Sequence, residues 1–234
     1  MRKFGLIGGT SWHSTVEYYS TINRLINDHY GDNTNPPIRI VSLNQKQIHD
    51  LQRSDNWDAI ADIFVGAAFE LQELGVEGIA LCANTPHKVF DQLYNSVSCS
   101  IVHIADAVGS TLEKGGVSTA GLLGTRFTMS QDFIKGRLLD RYQIETIVPT
   151  VLEQNEMQER IYKELAVGTF DDNTKAFCLG IVDSLAEKGA EAVILGCTEL
   201  PLLLEGVSCP TPVVDSLRCH CEAIARYILV APDI

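Results

Sequence analysis

Short apolar runs alternate along this chain with longer stretches whose apolar residues recur at helical spacing. Runs near residues 4–8, 38–43, 77–82, 101–104, 118–123, 144–148, 191–195 and 212–214 predict strands, with helices between them. That alternation describes an α/β fold with parallel sheets, because parallel neighbours need a crossover long enough to hold a helix. Two capping-box patterns, Ser14-Thr15-Val16-Glu17 and Thr128-Met129-Ser130-Gln131, predict helix starts. Asp32-Asn33-Thr34-Asn35-Pro36-Pro37 predicts a loop inside a domain.

The pattern also repeats. Phe4-Gly5-Leu6-Ile7-Gly8-Gly9 aligns with Ala120-Gly121-Leu122-Leu123-Gly124-Thr125 at an offset of 116, and the stretch from Leu71 to Thr85 aligns with that from Leu185 to Glu199 at an offset of 114. Nearly equal offsets point to duplication. The expectation is two pseudo-symmetric lobes, 1–105 with 209–234 and 106–208, each a parallel sheet flanked by helices, with a ligand cleft between them. Ligands of open parallel sheets sit beyond the carboxyl ends of strands, where turn amides and helix N-termini attract anions. The turns at 8–14, 83–88, 124–130 and 197–201 are rich in Gly, Ser, Thr and Asn, which suits a carboxylate.

Composition narrows the partners. Of 234 residues, 45% are hydrophobic and 21% charged, the balance of a chain that buries a core. Thirty acidic against eighteen basic residues give a formal charge of -12, which repels phosphate backbones and anionic lipid, so neither nucleic acid nor a membrane is an expected partner. No run approaches the ~20 apolar residues of a membrane span, and the apolar run near Met1 is too short for a signal peptide, so a cytoplasmic protein is expected. Seven cysteines, odd in number and irregular in spacing, fit reduced thiols better than a disulfide framework.

Among the matched turns, Cys197 in Leu195-Gly196-Cys197-Thr198-Glu199-Leu200-Pro201 stands at a strand end before a helix. A thiol facing a helix N-terminus is expected to have a lowered pKa and to serve as base or nucleophile. Its repeat partner is Ala83; Cys82 lies one residue earlier, and on a continuing strand it points to the opposite face.

Four segments in order, Gly5-Leu6-Ile7-Gly8-Gly9-Thr10-Ser11-Trp12, Cys82-Ala83-Asn84-Thr85-Pro86-His87, Leu122-Leu123-Gly124-Thr125-Arg126-Phe127-Thr128-Met129 and Gly196-Cys197-Thr198-Glu199, resemble the aspartate/glutamate racemase family, aspartate-racemase branch. The resemblance implies two similar lobes, a homodimer, independence of pyridoxal phosphate and other cofactors, and two cysteines facing opposite sides of the substrate α-carbon. One removes the α-proton and the other returns it. The resemblance further implies that the Asn-Thr and Thr turns hold the α-carboxylate, with developing charge stabilised around Asn84, Thr85, Thr125 and Thr198. Two departures stand out. Ala83 occupies the first cysteine position of the motif Cys-Asn-Thr-x-His, which leaves Cys82, Thr85 or a bound water as the second proton carrier. Ala166, in Ile161-Tyr162-Lys163-Glu164-Leu165-Ala166-Val167-Gly168, replaces a lysine that holds the side-chain carboxylate in many aspartate racemases.

Other residues complete the candidate set. Arg53, following the second strand, is a candidate partner for a side-chain carboxylate, with Arg126 a weaker one; Thr10, Ser11 and Thr128 lie in the ligand turns. His87 is expected to support Asn84 or orient a thiol, and Glu199 to accept a thiol proton or bind the substrate ammonium. Cys219-His220-Cys221 lacks zinc-ligand spacing and Gly5-Leu6-Ile7-Gly8-Gly9 is not a dinucleotide loop, so neither metal nor nicotinamide is expected. The expected function is a cofactor-independent amino-acid racemase acting on aspartate or glutamate. Two other readings use the same residues: a single-cysteine decarboxylase or isomerase of a small carboxylate, and a protein that binds an amino acid or dicarboxylate without turnover.

Overall fold

In the computed structural model, which describes residues 1–230, the apolar runs form strands within a residue of their predicted limits, except that the run at 101–104 gives a strand ending at Ile101 because α5 begins at Ile104. The chain divides into two units, Met1–His103 with the segment from His220 onward, and Ile104–Cys219. The first contains β1 (Phe4–Gly8), α1 (Trp12–Tyr30), β2 (Ile38–Ser42), α2 (Gln45–Arg53), α3 (Trp57–Glu73), β3 (Gly78–Leu81), α4 (Phe90–Ser96) and β4 (Ser100–Ile101). The second contains α5 (Ile104–Lys114), β5 (Thr119–Gly124), α6 (Arg126–Ser130), α7 (Asp132–Tyr142), β6 (Glu145–Ile147), α8 (Val151–Lys163), α9 (Asp172–Glu187), β7 (Ala192–Gly196), α10 (Glu199–Leu203) and β8 (Val213–Asp215). The last helix, α11 (Ser216–Leu229), begins in the second unit and ends in the first.

Each unit holds one four-stranded parallel sheet, ordered β2-β1-β3-β4 and β6-β5-β7-β8. The orders are the same when each unit is counted from its own first strand, so the repeat in the sequence is a repeat of topology. It extends to packing. A Cβ on Gly5 would meet Leu71 Cδ1 at 2.9 Å and Ile79 Cγ2 at 3.0 Å; on Gly121 it would meet Leu185 Cδ1 at 3.0 Å and Val193 Cγ2 at 3.1 Å. In both units a helix leucine fills the space that a missing side chain leaves on the sheet. Glu77 and Glu191 also match: each donates its amide to a carbonyl at the start of the neighbouring strand and accepts an amide there with its carboxylate. The central strands β1, β3 and β7 are buried throughout because helices cover both faces of a parallel sheet. The first core gathers Ile7, Phe64, Leu71, Ile79 and Leu81, the second Leu123, Val182, Leu185, Val193 and Leu195.

Three expectations change. Segment 209–219, expected in the first lobe, belongs to the second unit because β8 pairs with β7 through Val193–Val213 to Leu195–Asp215. Neither predicted capping box forms. Helix α1 starts a turn earlier, capped by Ser11, which frees Ser14 and Thr15 for other bonds, and α6 is capped by Thr125 and stops at Ser130. A full capping box forms instead at Thr150 and Glu153, where α8 begins. Among the described residues, no helix is long and apolar enough to cross a membrane.

Candidate active site

In the second unit, β5 and β7 run in parallel register up to Gly124 and Gly196. Gly124 needs to be glycine, since a Cβ there would lie 2.7 Å from the Gly196 carbonyl oxygen, while one on Gly196 would press on Thr128 Cγ2 at 3.2 Å. The two following turns therefore emerge side by side. Thr125 caps α6 by accepting from the Thr128 amide at 3.3 Å, and the two hydroxyls are bonded to each other at 3.0 Å. Thr128 is fully buried.

Across from them, Cys197 Sγ donates to Glu199 Oε2 at 2.9 Å, and Thr198 Oγ1 donates to the same oxygen at 2.9 Å. Glu199 is buried, while Cys197 and Thr198 are half-buried. The thiol pKa is not lowered. Burial pushes it well above its ordinary value of 9.0, and the charge and hydrogen bond of Glu199 push it further. The backbone amides of Thr198 and Glu199 at the start of α10 do lower it, but burial and the carboxylate in contact outweigh them. The result is a thiol that keeps its proton beside a group able to take it.

In the first unit, β1 ends in Gly8-Gly9 and leads through Thr10 and Ser11 into α1. Gly9 has φ +84, and a Cβ there would fall 2.1 Å from the Leu43 carbonyl oxygen. Thr15 Oγ1 accepts from the Gly9 amide at 2.9 Å and donates to the Ser11 carbonyl at 3.0 Å, while the Ser14 hydroxyl donates to the Cys82 carbonyl at 2.6 Å. These bonds tie the turn after β1 to the turn after β3. There Ala83 and Thr85 are half-buried and Asn84 is buried, entering a 3-10 turn over Thr85–Val89. His87 Nδ1 lies 3.0 Å from the Ala83 carbonyl oxygen and 3.2 Å from that of Asn84. Carbonyls only accept, so Nδ1 carries the hydrogen and bonds the turn.

Cys82 is 1% exposed, and burial alone pushes its thiol far above the ordinary range, so it is a core residue. Arg53, at the end of α2, is exposed and pairs with Asp50, which also binds Lys46. Cys219 and Cys221 are buried; His220 between them accepts from the Tyr18 hydroxyl and donates through Nε2 to the Val102 carbonyl. All seven cysteines are free thiols. The sequence reading passed over His49 on α2, whose pKa is held below its ordinary 6.5 by burial and the neighbouring Arg53.

Comparison with known proteins places these features in a family context. Residues 7–224 match the Asp/Glu/Hydantoin racemase family. The fold is similar to that of a candidate Asp/Glu racemase from Yersinia pestis, with a TM-score of 0.92 and 35% identity over 98% of this chain and 100% of that one. It is similar to an aspartate racemase homologue from Pyrococcus horikoshii, with a TM-score of 0.84 and 35% identity over 97% and 99% of the two chains. A broad specificity amino-acid racemase from Bacillus subtilis is 22% identical over 73% of this chain and 74% of its own length.

Proposed function

The chain belongs to the Asp/Glu/Hydantoin racemase family, and from that premise we propose that it interconverts the enantiomers of an acidic α-amino acid, aspartate or glutamate. Cys197 and Glu199 act as one proton-carrying pair. The observation that carries this reading is the 2.9 Å bond from Cys197 Sγ to Glu199 Oε2. A thiol with a raised pKa is a poor base by itself, but transfer of its proton to Glu199 leaves a thiolate next to the substrate α-carbon. As the C–H bond breaks, an S–H bond forms, and the electron pair moves into the α-carboxylate. Hydroxyls and amides of the Thr125 and Thr198 turns stabilise that charge. In the reverse direction, the Cys197 thiol donates the proton.

Inversion requires a second proton carrier on the opposite face. Cys82 is unsuited to it by burial, which leaves Thr85 or a bound water. Arg53 serves the side-chain carboxylate, giving up Asp50 when a ligand with a second carboxylate arrives.

The test is incubation of the protein, and of Cys197→Ser, in deuterium oxide with both enantiomers of aspartate and glutamate, following α-deuterium by NMR and configuration by chiral chromatography. Exchange with inversion, lost in the serine variant, is the expected result. Absence of exchange from all four substrates would overturn the reading, and carbon dioxide release from a disubstituted malonate would replace it with decarboxylation.

A further inference from the structure

We propose that Ser14 and Thr15 are positioning residues that lock the turn after β1 to the turn after β3 for ligand binding, an inference that rests on the function proposed above. Both lie in the first turn of α1 and both are buried, Ser14 at 1% exposed and Thr15 at 8%. A hydroxyl on a helix is ordinarily satisfied by the carbonyl four residues earlier. Thr15 does more. Its Oγ1 donates to the Ser11 carbonyl at 3.0 Å and accepts from the Gly9 amide at 2.9 Å, so one side chain holds both ends of the Gly9–Ser11 turn. Gly8 makes room for it, since a Cβ there would fall 2.4 Å from Thr15 Cγ2.

Ser14 reaches the other turn. Its amide donates to the Ser11 cap at 3.3 Å, while its hydroxyl, instead of bonding back along the helix, donates at 2.6 Å to the carbonyl of Cys82, 68 residues away in sequence. That carbonyl belongs to the peptide leading into Ala83. Because a peptide group is planar, holding its carbonyl sets the direction of the Ala83 amide and the entry of the chain into the Asn84–Thr85 turn. Two adjacent hydroxyls thus join the ends of β1 and β3, which are neighbours in the sheet. The second unit carries a similar device on other residues: the Thr128 hydroxyl bonds that of Thr125 in the turn after β5, and Ser216, 1% exposed, donates to the Leu195 carbonyl near the end of β7 at 2.8 Å. Thr128 and Ser216 lie outside the aligned segments of the repeat, so the device follows the turns and not the helices that carry it.

Thr15→Val removes the hydroxyl at the same shape, Thr15→Ser keeps it, and Ser14→Ala removes the bond to Cys82. In Thr15→Val, KM for aspartate or glutamate should rise about tenfold, the worth of one buried amide left without its acceptor. The change in kcat should stay below about threefold, because the interaction acts on binding and not on the proton transfer, and Thr15→Ser should keep a near-native KM. Amide hydrogen exchange of Gly9 should quicken in Thr15→Val, where its bond is gone. It should quicken in Ser14→Ala as well, which leaves that bond in place and acts only through the lock. The double variant Ser14→Ala/Thr15→Val should raise KM by less than the product of the single changes, since either one releases the same pair of turns. A native KM in Thr15→Val, a loss that Thr15→Ser shares, native Gly9 exchange in Ser14→Ala, or KM effects that simply multiply would each overturn the proposal. Thr15→Ala provides the same comparison where valine does not fold. If the unmodified protein neither racemises nor binds aspartate or glutamate, the proposed function fails, while Gly9 exchange still decides whether the hydroxyls lock the turns.

Discussion

Replacing Glu199 by glutamine should lower the pKa of the Cys197 thiol. In the native protein three effects raise it: burial, the carboxylate charge of Glu199, and the hydrogen bond given to that carboxylate. Glutamine keeps the shape and an acceptor oxygen but removes the charge. With Sγ 2.9 Å from Oε2 and the charge shared by two oxygens, a mean separation near 4 Å and an effective dielectric of about 20 give roughly 4 kcal/mol. At ~1.4 kcal/mol per pK unit that is a ceiling of about 3 units. Water reaching the half-buried thiol screens part of it, so a fall of ~1–2 units is expected. Burial persists, so the variant thiol should still titrate above an ordinary cysteine. The assay is the pH dependence of thiolate ultraviolet absorbance, taken as a difference against Cys197→Ser to remove the other six cysteines. In parallel, α-deuterium exchange should fall, because the thiol has lost its proton acceptor. A pKa equal to or above the native value in Glu199→Gln would refute the pairing.

Further tests address the scaffold and its second turn. Gly9→Ala should cost at least ~2 kcal/mol in urea unfolding, since φ is +84 and the new methyl meets backbone atoms of Leu43; a loss below about 0.5 kcal/mol would contradict the described turn. Glu153→Ala should destabilise α8 by about 1 kcal/mol at neutral pH. The Thr150 bonds hold the Glu153 carboxyl below its ordinary 4.5, so its stabilisation is complete above that pH and is lost as pH falls through the lowered folded value. The gap between variant and native protein should therefore close in acid, and a gap that widened there would reverse the sign. Ala83→Cys, at the position matching Cys197, should raise the racemisation rate ~10-fold or more, measured by chiral chromatography; an unchanged rate with the introduced thiol open to alkylation would count against a role for that turn.

Much of the fold was legible because it rests on short-range alternation and on an internal repeat. Gly5 and Gly121 declared themselves as a pair before their matching leucines were placed, since each sits inside the same apolar run. Local polar signals were less dependable. Ser14 and Thr15 resemble the start of a helix, yet their hydroxyls bond Cys82 and the Gly9–Ser11 turn, contacts set by tertiary packing. The Cys197 pKa was misread for a related reason: sequence shows a helix beginning, whose amides do lower it, but not the burial of the sulfur, nor that the neighbouring carboxylate turns back onto it.

The matched turns differ in a way that the fold permits. In the first unit, the turn after β3 is held through backbone atoms: the Ser14 hydroxyl on the Cys82 carbonyl and the His87 ring on the Ala83 and Asn84 carbonyls. None of these bonds uses the side chain at 83, which can therefore change without disturbing the turn. In the second unit, the side chain of Cys197 is itself bonded, to Glu199. A change at 83 leaves the scaffold intact, whereas loss of the thiol at 197 leaves a buried carboxylate short of one donor. Cys197→Ser, which keeps a donor, should accordingly be nearly as stable as the native protein, and Cys197→Ala measurably less so. Equal stability of the two in urea unfolding would mean that the thiol contributes nothing to holding Glu199.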